Sequence, residues 1–346
     1  MKNKNDLISK LFWSVISVLL AVLTIKAVMA QSKSLSVKEL FDFVAASNQF
    51  LVALGILFAG FYVWFEGTAL RVILKRAGYN KKRMEGLLYS TSDVYFSAIT
   101  PSATGGQPAS AYFMIKDGVP GGVAAAALVL NLMMYNVSVG ALGIIAVLVY
   151  PGVLKGFNES AVVFIVIGIS AVTLTSVFFF FVLKKGDRFF ALAGRLLSFL
   201  SRHKIVRHNE KWQEKLKRAG ESYAECSDFI SGKTDLLVKT FIWNFLQRAS
   251  QILVPVFLYL SAGGEKENAV RIFSKQCLIT IGYNYIPVPG AMGVSDFLML
   301  DGFKDLMGRD MAFRLEMVSR GVSFYLCVLV CGLITLAGYM ARKRRK

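Results

Sequence analysis

The apolar residues of this chain come in long runs that are separated by short polar stretches. Six of these runs have roughly the 20 residues that a helix needs to cross a bilayer. They cover Leu11 to Ala30, Gln49 to Glu66, Gly121 to Val149, Ala161 to Leu183, Asp235 to Ser261 and Arg314 to Met340. The pattern predicts an all-α polytopic membrane protein with six full spans.

Two further stretches, Glu85 to Asp117 and Ala269 to Phe313, are interrupted by proline and glycine. The interruptions run from Pro101 to Pro108 and from Pro287 to Asp296. Proline removes a backbone donor and glycine tolerates a positive φ, so neither interruption continues a helix. Each stretch therefore predicts two half-helices. The second half-helix should start near Ala109 to Tyr112 in the first stretch, and behind a cap at Ser295 or Asp296 in the second.

Basic residues outnumber acidic ones, with 40 Lys and Arg against 22 Asp and Glu. They gather before the first run, after the second run, between residues 184 and 234, and in the tail 342–346. The positive-inside rule assigns these regions and both termini to the cytoplasm, which predicts a multi-pass protein of a bacterial cytoplasmic (inner) membrane. Because the charge lies in loops and the tail, it indicates anionic lipid as a partner and excludes nucleic acid.

This orientation requires each interrupted stretch to begin and end on one side of the membrane. Glu85 to Asp117 would open toward the cytoplasm, and Ala269 to Phe313 toward the outside. The sequence thus predicts two oppositely oriented re-entrant hairpins, with residues 49–149 and 235–340 as the halves of an inverted repeat. In the alternative reading each hairpin is a pair of ordinary short spans, which gives eight spans.

Polar residues inside the runs indicate an internal site. Asn244, Gln247, Arg248 and Gln251 are spaced i, i+3, i+4 and i+7, which places them on one helix face. A charge at mid-membrane costs roughly 2.5–3.5 kcal/mol, so this face should point inward. The guanidinium fork of Arg248 suits a lipid phosphate, with Asp93 or Asp296 as internal partner. The alternative is a structural hydrogen-bond network.

A second polar face is predicted on the third run, at Asn131, Tyr135 and Ser138, with Asn136 adjacent. Asp93 and Ser97 should face the same cavity, and Lys275 and Asn284 are lesser candidates. Because non-helical backbone at membrane depth must line a cavity, the interruptions belong to this site. The predicted headgroup-binding residues are Asp93, Ser102, Thr104, Gly105, Gly106, Gln107, Asn131, Asn244, Gln247, Arg248, Gln251, Pro289, Gly290, Gly293 and Asp296.

The remaining chemistry-bearing residues predict no catalytic set. Cys226, Cys277, Cys327 and Cys331 lack metal-ligand spacing with the two histidines, so we expect no metal site and no cofactor. The basic segment 184–234 has apolar residues at helical spacing. It predicts amphipathic helices on the anionic inner leaflet.

The two interruptions also carry a family signature. Pro101 to Pro108 followed by Ala111-Tyr112-Phe113, together with Pro287 to Gly293, resembles the lysylphosphatidylglycerol synthase transmembrane family of flippase-like membrane proteins. The resemblance covers nearly the whole chain. It implies a membrane region that flips aminoacylated phosphatidylglycerol, which a separate soluble domain synthesises. The chain stops at Lys346 without that domain, so we expect a lipid translocase rather than a synthase.

Two other functions stay open at this point. One is a membrane-embedded transferase acting on phosphatidylglycerol or a polyprenyl lipid, with Asp93 or Asp296 as base. The other is a non-transporting scaffold that holds a lipid-modifying enzyme through residues 184–234. The expected partners are an anionic phospholipid, the membrane and a separate aminoacyl-lipid synthase, and the sequence is compatible with a homo-oligomer.

Overall fold

The computed structural model describes residues 37–100, 103–184, 194–195, 197–198, 214, 234–286, 291 and 293–343. Within these ranges the chain forms helices and no strand, which confirms the all-α prediction. The helices are α1 (Val37–Ala46), α2 (Gln49–Arg76), α3 (Arg83–Ile99), α4 (Gly106–Lys116), α5 (Gly121–Val149), α6 (Glu159–Lys184), α7 (Thr234–Ser261), α8 (Lys266–Tyr283), α9 (Val294–Met307), α10 (Arg309–Arg320), a π-helical turn (Gly321–Leu326) and α11 (Cys327–Lys343).

Four helical stretches of the described chain are long and apolar enough to cross a membrane. They are Gln49–Arg76, Gly121–Val149, Glu159–Phe181 and Arg309–Arg342, the last combining α10, the π-helical turn and α11. The protein is therefore a multi-pass membrane protein. The predicted first span and most of the basic segment 184–234 lie outside the described residues.

The predicted span Asp235 to Ser261 corresponds to α7, a helix of 28 residues that carries the polar stripe around Arg248. It packs along α2, and the two helices are antiparallel. Asn48 N at the start of α2 donates to Ser261 O at the end of α7 over 2.8 Å. Nearer the middle, the rings of Phe65 and Trp243 lie 5.5 Å apart. The helix that carries the polar stripe is thus held along its length against α2.

Two predicted boundaries are wrong. The second span was expected to end at Glu66, but α2 continues for ten further residues to Arg76. The last span was expected to begin at Arg314, whereas its helix begins at Arg309. In both places the prediction took a charged residue as the boundary of an apolar run. Glu66 is instead only 5% exposed and lies inside the protein.

Each interrupted stretch forms two helices joined at a tip, as predicted. We call α3 with α4 hairpin 1, and α8 with α9 hairpin 2. Hairpin 1 contacts α2 closely, because a Cβ added at Gly67 would lie 2.5 Å from Gly86 O. Hairpin 2 contacts α6 in the same way, since a Cβ at Gly168 would lie 2.2 Å from Ile281 O. Small residues that let backbones approach are typical of helix packing in membranes.

The end of each hairpin away from its tip is held by a buried or half-buried ion pair. In hairpin 1, Asp117 accepts a 2.8 Å hydrogen bond from Tyr89 and pairs with Arg342 of α11 at 2.6 Å. In hairpin 2, the fully buried Lys275 pairs with Asp305 at 2.8 Å. These ion pairs hold each hairpin at a distance from its tip.

Two apolar cores flank the centre of the molecule. One joins α2, α3, α4, α5 and α7 around Leu70, Leu74, Met114 and Leu130. The other joins α2, α7, α8, α9 and α10 around Val254, Leu258, Leu298 and Phe303. Hairpin 1 belongs to the first core and hairpin 2 to the second.

Candidate functional site

A cavity of about 590 Å³ lies between the two hairpins. The tip of hairpin 1 contributes Ala103 and Gln107, and the tip of hairpin 2 contributes Ala291 and Ser295. Helices α2, α5, α7, α10 and α11 complete the wall. Two segments far apart in the sequence therefore border one space.

The structure brings only part of the predicted site to this cavity. Asp93, Gln107, Asn131, Gln247, Arg248 and Gln251 line it. Asn244 lies behind the wall, where it donates to Asn131 Oδ1 over 2.9 Å. Ser102, Pro289 and Gly290 fall outside the described residues. The predicted residues that are described but do not line the cavity are Thr104, Gly105, Gly106, Asn244, Gly293 and Asp296.

Arg248 is the cation at the centre of the α7 face, and it is 4% exposed. Its guanidinium carbon lies 4.2 Å from the centre of the Tyr135 ring, and one terminal nitrogen donates to Gln251 Oε1. Its Nε has no hydrogen-bond partner. The guanidinium is thus held by an aromatic face and an amide.

Neither carboxylate that the sequence suggested as a partner for Arg248 takes that role. Across the described part of the chain, no carboxylate lies within ion-pair distance of its guanidinium. Asp93 is bonded to Ser97 and Gln107 of hairpin 1, and Asp296 pairs with Arg320 of α10. Arg248 therefore faces the cavity without a direct ion-pair partner, although Glu66 is near enough to interact with it electrostatically.

The tip of hairpin 1 is organised around Asp93. Its carboxylate accepts from Gln107 Nε2 at 2.7 Å and from Ser97 Oγ at 3.0 Å, so both arms of the hairpin are joined through it. Helix α4 begins at Gly106, three residues earlier than predicted. Ala103 has a φ of 54°, a left-handed conformation that is uncommon outside glycine.

Replacing Gly106 with alanine should destabilise this tip. The added Cβ would lie 2.0 Å from Asp93 Oδ1 and 2.0 Å from Ser97 Oγ, so the polar contacts that join the arms must break. Overpacking of this kind costs about 1–3 kcal/mol, and we expect a lower melting temperature in detergent.

Gly60→Ala provides the matched control for that change. Gly60 lies in α2, and a Cβ there has nothing within 4 Å. Alanine in a helix is favoured over glycine by roughly 0.5–1 kcal/mol, so this variant should melt no lower than the wild type. Equal melting of Gly106→Ala and Gly60→Ala contradicts the described packing of the tip.

The tip of hairpin 2 has a matching construction. Ala291 also has a left-handed φ, of 50°. The helix starts at Val294 with Gly293 as its N-cap, so the cap predicted at Ser295 or Asp296 is placed too late; Asp296 is the third residue of the helix, and its Oδ2 accepts from Gly293 N at 2.9 Å. Its other oxygen pairs with Arg320 of α10, which also donates to Ser295 at 3.0 Å. Arg320 thereby ties the tip of hairpin 2 to the helix that leads into α11.

Two hydrogen bonds connect α5 with hairpin 2 at the wall of the cavity. Tyr135 donates to Asn284 Oδ1, and Tyr285 donates to Asn136 Oδ1, both over 2.7 Å. The predicted polar face of α5 thus contacts the tip of hairpin 2. Lys275, the other lesser candidate, does not line the cavity but holds the base of that hairpin.

Three features of the site were not predicted. Glu66 and Arg320 line the cavity, as do Ser323 and Phe324 of the π-helical turn. The sequence contained a signal for the first two, because each is a charged residue inside an apolar run. The π-helical turn leaves no sequence pattern of this kind, although such turns are frequent at functional sites.

Comparison with known proteins adds one match. A family model described as "Lysylphosphatidylglycerol synthase TM region" matches residues 7–331. No curated protein and no solved structure matches the chain.

Proposed function

The chain belongs to the lysylphosphatidylglycerol synthase TM-region family, as its signature predicted, and from this we propose that it moves an anionic phospholipid headgroup across the bacterial cytoplasmic membrane. The lipid would be phosphatidylglycerol or an aminoacylated form of it. The observation that carries the proposal is the Arg248 guanidinium, which faces a cavity between two hairpin tips without a carboxylate partner.

The environment of Arg248 fits a phosphate. A buried cation in a membrane protein is costly unless an anion compensates it. Arg248 retains a fork of donors, including the unpartnered Nε, and this planar geometry matches phosphate oxygens. Gln251 and Gln247 line the cavity beside it and supply further polar groups. A phosphate entering here would accept a hydrogen bond from the unpartnered Nε of Arg248.

The size of the cavity and the outer surface of the protein indicate that only the headgroup enters. A volume of about 590 Å³ suits a small polar group rather than two acyl chains. The outer faces of α6 and α11 expose apolar side chains such as Val166, Leu174, Leu329 and Leu333. In the proposal the acyl chains stay in lipid along such faces while the headgroup passes through the cavity.

The hairpin dimensions support the re-entrant reading. The arms of hairpin 1 have 17 and 11 residues, which gives about 25 Å and about 16 Å of helix. Those of hairpin 2 have 18 and 14 residues, or about 27 Å and about 21 Å. All are shorter than the hydrocarbon core of about 30 Å. We infer that both hairpins return to the side from which they enter.

The packing also supports an inverted repeat. Helices α2 and α7, which begin the two halves, are antiparallel. Hairpin 1 packs against α11 of the other half, and hairpin 2 packs against α5. Rocking of one half against the other would expose the cavity to each side in turn. This provides the movement that the proposed translocation requires.

The environment of the two aspartates favours translocation over the transferase alternative. A general base needs an oxygen that is free to reach the substrate. Both Asp93 oxygens accept hydrogen bonds from hairpin 1 side chains, and Asp296 is held by Arg320 and by the backbone of Gly293. These carboxylates stabilise the hairpin tips in the described state.

Reconstitution tests the proposal. Purified protein would be placed in liposomes that contain fluorescent phosphatidylglycerol or lysylphosphatidylglycerol, with a membrane-impermeant quencher added outside. We expect the quenched fraction to rise from about half to nearly all of the label, because inner-leaflet lipid reaches the outside. A quenched fraction equal to that of protein-free liposomes for both lipids contradicts the proposed function.

A further inference from the structure

Two carboxyl groups meet in the wall of the cavity. Glu66 comes from α2 and Asp93 from α3, and both line the cavity close enough for their charges to interact. They are 5% and 6% exposed. Two buried carboxylates that lie together repel each other, and a proton on one of them removes that repulsion.

A second pair of acidic residues differs from Glu66 and Asp93 because a cation lies beside it. Asp296 and Glu316 also lie together, but Arg320 is within 4 Å of both of them. The guanidinium of Arg320 can balance one of the two carboxylates of that pair. Along the described chain, no cation comes within ion-pair distance of Glu66 or Asp93. Arg248 acts on Glu66 only from beyond that distance, so a proton is left to compensate the pair directly.

The surroundings of Glu66 contain an acceptor for such a proton. Gln247 is 2% exposed, its Nε2 donates to Glu66 Oε2 over 3.2 Å, and its Oε1 has no partner. Half a turn of this amide places Oε1 where Nε2 now lies, facing the carboxyl group. A protonated Glu66 could then donate to Gln247, so the amide accommodates both the charged and the neutral form.

The other groups around the pair are mostly neutral. Ser90 donates to Glu66 over 3.0 Å, while Ser97 and Gln107 donate to Asp93. Arg248 is the nearby cation and acts on Glu66 electrostatically. The titratable or charged groups that face the pair are Tyr62 of α2, Arg248 of α7, and Cys327 and Cys331 of α11.

We propose that the Glu66 and Asp93 carboxyl groups bind a proton that crosses the membrane together with the lipid headgroup. The inference rests on the proposed translocation, and it names the ion that the movement is coupled to. The proton would bind from the acidic side when the cavity opens there, and leave to the alkaline side after the halves have rocked. No bond other than the O–H bond is made or broken.

Coupling follows from the charges in the cavity. A phosphate bound at Arg248 cancels the positive charge that favours ionised carboxylates nearby, and adds negative charge. Both effects strengthen proton binding at the pair. Because such linkage is reciprocal, the bound proton strengthens phosphate binding equally. Proton and phosphatidylglycerol therefore move in the same direction, and because this lipid carries one negative charge, the two together carry no net charge.

The test uses full-length protein in sodium-free liposomes with a pH difference of one unit and fluorescent phosphatidylglycerol as the probe. Cotransport of one proton per lipid predicts that the label accumulates in the leaflet facing the alkaline side, up to about ten-fold. An imposed membrane potential without a pH difference should leave the label evenly distributed. Even distribution under the pH difference, or accumulation that follows a sodium gradient, overturns the inference.

Two variants and a second measurement complete the design. Glu66→Gln should lose the accumulation under the pH difference. Glu267→Gln, which changes an exposed glutamate of α8, should accumulate label as the wild type does. In liposomes with the wild-type protein, an imposed difference in phosphatidylglycerol between the two leaflets should move protons, which a pH dye inside the liposomes detects. No change in the dye signal refutes the coupling. If no labelled lipid crosses even at equal pH, the proposed function itself is wrong.

Discussion

Replacing Arg248 with alanine should slow the crossing of phosphatidylglycerol roughly 10- to 100-fold. Hydrogen bonds to a charged group contribute about 1.5–3 kcal/mol, and each 1.4 kcal/mol is a factor of ten. The guanidinium of Arg248 provides charged hydrogen-bond donors in the cavity, and no carboxylate is bonded to them. The measurement is the rate at which fluorescent phosphatidylglycerol in liposomes becomes accessible to an external quencher.

Two further variants separate the role of Arg248 from a general loss of charge. Arg248→Lys keeps the positive charge but lacks the planar fork, so its rate should fall between those of the wild type and the alanine variant. Arg271→Ala removes an exposed arginine from α8, and with this variant the lipid should cross the membrane at the wild-type rate. An unchanged rate in Arg248→Ala contradicts the assignment of the phosphate to this side chain.

Replacing Arg320 with glutamine should lower the stability of the protein by about 3–5 kcal/mol, since removing one partner of a buried ion pair leaves a buried charge uncompensated. Arg320 is 6% exposed and contacts both Asp296 and Glu316. Without it, two carboxyl groups are left together at the tip of hairpin 2. The melting temperature in detergent measures the effect.

The control and the rescue both use the same region. Arg314→Gln changes an exposed arginine of α10 and should leave the melting temperature unchanged. Arg320→Gln combined with Asp296→Asn removes the uncompensated charge and should recover part of the loss. If Arg320→Gln has the same melting temperature as the wild type, the ion pair does not stabilise hairpin 2.

Some parts of this architecture could be predicted because they depend on local chemistry. Two prolines and two glycines lie close together in each of 101–108 and 287–293, and such a cluster interrupts a helix where a single residue such as Pro255 of α7 does not, so the paired half-helices follow from the sequence. Asp296 was expected to help begin α9, and it does so from the third position of the helix rather than as the N-cap. The face that carries Gln247, Arg248 and Gln251 follows from helical spacing alone, and it does line the cavity.

Other parts depend on which helices meet, and the sequence does not contain that information in a local form. Glu66 was taken as the end of a span because a charge in an apolar run usually marks the membrane surface. Its place inside the protein depends on Asp93 of α3 and Gln247 of α7. Arg248 was expected to pair with an aspartate, but Asp93 is bonded within hairpin 1 and Asp296 pairs with Arg320 of α10. Pairing within a bundle is settled by tertiary contacts.

The position of a bound lipid phosphate tests the central claim most directly. We expect an experimental structure of the protein in a phosphatidylglycerol bilayer to show phosphate density within hydrogen-bond distance of the Arg248 guanidinium, between the two hairpin tips. Phosphate density confined to the two membrane surfaces, with Arg248 still bonded to Gln251 in an otherwise unchanged cavity, would contradict it.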